Sequence, residues 1–207
     1  SEKDRGQSHA FNKGFARASG RFLTWLNADD ILFPNGLAAI TREIKRYPNC
    51  QWFVGSTYWL DEQLRIVRCF RAHRFSMIRA RWGTLSAAGP SSFFTKELFN
   101  QVGGVDESFH FCMDIDLWHR FYFLAGQRYR RTTQPVWGYR IHRDSKMSGS
   151  DISPETSKNQ QNRITARLEG DKLDKRYGKS RALARFINMC SFSIVDYFAA
   201  MLDNRKY

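Results

Sequence analysis

Two adjacent carboxylates, Asp29 and Asp30, stand just past the short apolar run Arg21-Phe22-Leu23-Thr24-Trp25-Leu26-Asn27. Paired carboxylates at the end of a buried strand suit a hard divalent cation that also holds phosphate oxygens. The carboxyl ends of strands are where open α/β sheets bind ligands. The same pair also suits an Asp-rich turn before a helix opened by Pro34. A second acidic group, Asp114 and Asp116, is followed at once by Trp118. A carboxylate there can accept a proton from an attacking hydroxyl, and an indole face can stack on a sugar ring. Near the start of a helix the two acids equally suit a plain capping role. His142 lies in a polar turn after a strand-like stretch. It reads either as structural or as an extra ligand beside the carboxylates.

Periodicity and punctuation define the elements that must position these groups. Ser8 can cap a helix over residues 8–18 with Gly20 as its stop, and residues 21–27 read as a buried strand. Pro34 opens a helix with Leu37, Ile40 and Ile44 on one face, closed near Pro48. Residues 51–60 and 64–70 alternate as strands around a turn at Asp61 and Glu62. Residues 71–89 form a basic surface excursion with one helical stretch over 75–82, followed by a strand over 91–94. Thr95 can cap a helix over 96–102, stopped by Gly103 and Gly104. Residues 111–125 carry a helical pattern that would bury Cys112, Ile115, Phe121 and Leu124. Two short strands are predicted over 128–132 and 135–140, then a charged helix over 164–177. The more apolar stretch 182–202 is interrupted by Arg185, Asn188 and Asp196, so it is expected to pack rather than to span a membrane. Strand, helix and strand in this order predict an α/β fold.

Composition narrows the partners. The 207 residues can build one domain, or a domain plus an appendage, and 42% hydrophobic with 26% charged residues fits a folded chain. The net charge of +13 points to anionic partners: nucleotide phosphates, nucleic acid or an acidic membrane face. No run of five like charges marks a nucleic-acid arm, so no specific nucleic-acid partner is expected. The four cysteines match neither a zinc pattern nor a CxxC motif, which reads as a reducing compartment without disulfides.

Four segments in order resemble one family. Ser1-Glu2-Lys3-Asp4-Arg5-Gly6, with Asn12-Lys13-Gly14, resembles the opening segment of family 2 of the inverting glycosyltransferases. Leu26 to Asp30 is similar to its metal motif, and Gly103 to Trp118 to its acceptor segment. Tyr139 to His142 is similar to its late Arg-x-His element. The resemblance covers residues 1 to about 148. It implies a GT-A-like (Rossmann-like) mixed sheet flanked by helices, truncated at its N-terminus. The expected domains are a partial transferase domain over 1–148 and a helical extension over 149–207.

The resemblance also implies roles. Asp29, with Asp30 beside it and His142 completing the contacts, would hold Mn²⁺ or Mg²⁺ at the donor diphosphate. Asp114 would be the general base, and Asp116 and Trp118 would shape the acceptor site. Asp4, Asn12, Lys13 and Asn27 would flank the donor nucleotide. Asn27 stands where many relatives carry Asp, and Met113 stands where an acid often precedes the base. The expected partners are a nucleotide-sugar donor and a saccharide or lipid-linked acceptor in polysaccharide or cell-envelope assembly. A cytoplasmic enzyme with peripheral contact at the inner membrane face, and self-association, are expected with them. The family's first strand and nucleotide-reading loop are expected before Ser1. A half sheet without them leaves an edge uncovered, so weak or absent activity is expected of this chain alone. Two rival readings remain at this level: a nucleotidyltransferase-like enzyme, and a non-catalytic module binding anionic glycans or nucleic acid.

Overall fold

The strand Trp52–Leu60 (β3) carries bulky residues on both faces, and that dictates a sheet covered on both sides. Trp52 and Val54 enter one core with Phe15, Trp25, Phe94, Leu117, Trp118 and Phe121. Phe53, between them, enters a second, smaller core with Ile40, Phe93 and Val136. The computed structural model describes residues 2–82, 85, 87, 89–142, 145 and 157–178.

Among the described residues, six strands form one mixed sheet. The others are Phe22–Leu23 (β1), Ile31–Leu32 (β2), Ile66–Phe70 (β4), Ser92–Thr95 (β5) and Arg130–Arg140 (β6). The order is β1-β5-β3-β6-β2, with β4 also paired to β3. Only β3 and β6 run parallel; the remaining pairs are antiparallel. The α/β architecture and the mixed sheet flanked by helices agree with the sequence reading.

Helices cover both faces. Pro34–Arg46 (α2) packs on the smaller core through Ala39 and Ile40, and its Gly36 lies so close to β6 that an added Cβ would sit 2.8 Å from Val136 Cα. Gln7–Arg17 (α1), Lys96–Gln101 (α4) and Met113–Phe123 (α5) contribute to the larger core, and Met77–Trp82 (α3) precedes β5. Ser157–Arg176 (α6) is the last described helix. The larger core is dominated by stacked indoles: Trp118 lies parallel to Trp25 at 5.8 Å and near-parallel to Trp52 at 5.3 Å.

Several local expectations change. The strand over 21–27 pairs only at Phe22 and Leu23, opposite Thr95 and Phe94 of β5. Ser8 is not the cap of α1; Gly6 is, while the buried Ser8 hydroxyl donates to Phe109 O at 2.7 Å. The strands expected over 128–132 and 135–140 are one bulged strand, in which Val54 faces Arg131 and Ser56 faces Pro135. The expected burial of Ile115 and Leu124 is not found; they are 37% and 68% exposed, since α5 buries Leu117, Trp118 and Phe121 instead. Thr95 does cap α4, accepting from Leu98 N at 3.1 Å. Of the expected helical extension, residues 157–178 are described; the apolar stretch 182–202 lies outside the described residues. Among the described residues, no helix is long and apolar enough to cross a membrane.

Candidate active site

The acidic turn sits between β1 and β2. Asp30 N donates to Asn27 O at 3.2 Å to close it. Strand β2 then pairs with the end of β6, Ile31 opposite Gly138 and Leu32 opposite Trp137. That register delivers Arg140 and His142 to the turn across more than a hundred residues. Arg140 donates its backbone N–H to Asp30 Oδ1 at 3.1 Å and its Nε–H to Asp29 O at 3.1 Å. His142 Nε2 meets Asp29 Oδ2 at 2.9 Å, a contact that is an ion pair only when the ring is protonated. Ser145, itself buried, holds the His142 turn: its Oγ accepts from His142 N at 3.0 Å and donates to Arg140 O at 3.2 Å.

The two carboxylates are unequal. Asp29 is partly open to solvent and turned to His142. Asp30 accepts from Asn27 Nδ2 at 2.6 Å and from Arg140 N. Burial pushes the Asp30 carboxyl above the ordinary carboxylate value, and the Asn27 amide and Arg140 N–H only partly oppose it. Among the described residues no three His, Cys, Asp or Glu side chains converge as a ready-made metal cage. One carboxylate and one imidazole do converge. The carboxylate suits Mg²⁺ or Mn²⁺ and the imidazole a more borderline metal, so a cation held there would draw its remaining ligands from phosphates and water. Asp30 is engaged within the protein instead.

Helix α1 connects this turn to the second acidic group. Gln7 Nε2 donates to Asn27 Oδ1 at 3.1 Å, while Ser8, the next residue, bonds Phe109 O and touches Met113 Sδ at 3.0 Å. The first turn of α1 therefore abuts both the acidic turn and the start of α5. Asp114 lies in the first turn of α5, half-buried, with Oδ1 accepting from Ile115 N at 2.8 Å.

The other expected site residues also have partners within the protein. Asp116 is 0% exposed and is bound by Arg120 Nε at 2.7 Å, Arg176 Nη1 at 2.7 Å and Tyr177 OH at 2.9 Å. Trp118 is 1% exposed within the indole stack. Both side chains expected to shape the acceptor site are enclosed in the core here. Asn12 clamps the Gly103–Gly104 loop, donating to Val105 O at 2.9 Å and accepting from Val105 N at 2.9 Å. Gly104 is at φ 76°, and a Cβ there would meet Asn12 Oδ1 at 2.9 Å. Asp4 accepts from Gly6 N at 2.9 Å at the start of α1, and Lys13 pairs with Glu2 at 2.9 Å. Asn27 is placed between Gln7 and Asp30.

Sequence reasoning missed Gln7, Arg140 as a turn-holding residue, Ser145 and, on α6, Glu169 and Arg176. Arg140 lies in the Tyr139 to His142 element, and Ser145 three residues beyond it. Glu169 carries no local signal.

Residues 1–103 match the model of glycosyl transferase family 2. An uncharacterized glycosyltransferase of Rickettsia prowazekii is 24% identical over 131 residues, which cover 60% of this chain and 41% of that protein. The crystal structure of S. aureus TarS 1-349 in complex with UDP-GlcNAc superposes with a TM-score of 0.50 at 16% identity, covering 72% of this chain and 43% of that one. The chain thus spans less than half the length of these relatives.

Proposed function

For a chain that belongs to glycosyl transferase family 2, we propose transfer of a sugar from a nucleotide-diphosphate donor to a hydroxyl of a saccharide or lipid-linked acceptor, with inversion. The observation that carries this reading is the meeting of Asp29 and His142 at 2.9 Å beside the turn that ends β1. Bound Mn²⁺ or Mg²⁺ would supply charge stabilisation for the departing nucleoside diphosphate. Asp29 and His142 would hold it, and Asp30 would stiffen their turn through Asn27 and Arg140. Asp114 would accept the acceptor hydroxyl's proton as its oxygen attacks the anomeric carbon. Asn27, Asp4 and Lys13 would flank the nucleotide from the α1 side, where Lys13 can meet phosphate charge. Asp116 and Trp118 support the acceptor side from within the core, by fixing α5. The net charge of +13 favours an anionic donor and peripheral contact with an acidic membrane face. A cytoplasmic site of action in cell-envelope assembly fits this chemistry.

The test is calorimetry of UDP and GDP with and without Mn²⁺, paired with transfer assays. Asp29→Ala should abolish metal-dependent nucleotide binding. Asp114→Asn should bind nucleotide normally and lose turnover by about 10²–10⁴-fold. Metal-independent binding untouched by Asp29→Ala would remove the metal assignment, and wild-type turnover in Asp114→Asn would remove the base.

A further inference from the structure

We propose that Glu169, on α6, is a positioning residue for Asp114. This rests on the reading of Asp114 as the base. The first N–H groups of a helix have no partner within it, and Cys112, at the cap position of α5, supplies no side-chain bond. Glu169, 57 residues further along, instead holds the three amides that lead into α5 and end at that cap position. Its Oε1 accepts from His110 N at 2.7 Å, and its Oε2 accepts from Phe111 N at 2.7 Å and Cys112 N at 2.9 Å. Glu169 as a residue is only 9% exposed. Charged acceptors on backbone amides make short, strong bonds, and a negative group at a helix N-terminus gains further from the aligned peptide dipoles.

Asp114 follows Cys112 by two residues, so fraying or rotation of that first turn moves its carboxylate directly. A second tie lies just beyond it. Arg176 Nη1 and Tyr177 OH hold Asp116 Oδ1 at 2.7 and 2.9 Å, and Arg176 also pairs with Asp106 at 2.8 Å. Leu173 is buried between the two ties. Glu169, Leu173 and Arg176 recur at helical spacing, so one stripe of α6 grips both ends of the segment that presents Asp114. With the Asp116 tie intact, loss of the Glu169 charge should loosen only the first turn of α5.

The test is Glu169→Gln, which keeps length and one acceptor oxygen but loses the charge. Hydrogen exchange at Phe111 and Cys112 should accelerate while amides of β3 and β6 keep their protection. In the native protein carrying this sequence, kcat should fall by about tenfold or more, since a small misplacement of a reacting group is costly. The donor KM should stay near wild type, and the melting temperature should fall by several degrees as buried amides lose a charged acceptor. Unchanged exchange at Phe111 and Cys112 would overturn the proposal. So would wild-type kcat in Glu169→Gln when Asp114→Asn is inactive. Loss of nucleotide binding in parallel with kcat would make Glu169 a residue of stability alone and overturn it too. Wild-type turnover in Asp114→Asn would overturn it by a different route, removing the base that Glu169 is said to position.

Discussion

Asp116→Ala should act on folding before it acts on chemistry. The carboxylate is wholly buried, and three groups converge on it: the guanidinium of Arg120, the guanidinium of Arg176 and the Tyr177 hydroxyl. Truncation leaves two cations without their shared partner. Removing one side of a buried ion pair costs about 3–5 kcal/mol. Both arginines keep other acceptors: Arg120 holds the carbonyls of Val102 and Gly104, and Arg176 holds Asp106. The cost should therefore lie at the low end, about 3 kcal/mol. At about 2–4 °C per kcal/mol for a chain of this size, the melting temperature should fall by about 6–12 °C. Urea unfolding followed by tryptophan fluorescence would measure the loss as a lower midpoint at unchanged m-value. A loss below about 1 kcal/mol, the value of an exposed pair, would refute the assignment of Asp116 to the buried network. A fall in turnover without destabilisation would return it to the acceptor site.

Two further outcomes follow from packing and from charge. Gly55→Ala would drive a Cβ to 2.1 Å from Val136 Cγ2 and 2.7 Å from its Cβ, where β6 bulges past β3. Overpacking of this kind costs about 1–3 kcal/mol, and a midpoint within error of wild type would show that the bulge yields freely. Asp106 is pushed up by burial, but the Ser108 hydroxyl and amide and Arg176 outweigh this and bring it from 3.8 to about 2. A depressed folded-state value stabilises fully above the unfolded value and is lost as pH falls through about 2. Asp106→Asn should therefore cost about 1 kcal/mol at neutral pH, after allowance for solvent screening. Its stability curve should converge on wild type toward pH 2, and parallel curves down to that pH would contradict the account.

Much of the architecture was legible because it is written in local pattern. The alternation of Trp52, Phe53 and Val54 already asks for two covered faces, Thr95 is followed by a helix it caps, and Pro34 opens α2. The acidic turn and His142 stood out by residue type and spacing, and β2–β6 pairing brings them together. Asp114 and Asp116 look alike in sequence, two acids at the start of one helix. Positions two apart on a helix project to different sides, so they enter different surroundings.

The sequence by itself determined the α/β class, the main helices and strands, and the residue types proposed above for a metal-held diphosphate, because these depend on neighbours a few positions away. Only the tertiary structure decided which charges face the site and which sit in the core. Burial of a charge depends on partners that local sequence does not contain: Arg176 lies 60 residues from Asp116, Glu169 lies 57 residues from Cys112, and the stack on Trp118 draws on Trp25 and Trp52. A polar helix such as α6 offers no hydrophobic stripe to betray that contact, since much of its grip on α5 is made by charged groups donating and accepting hydrogen bonds.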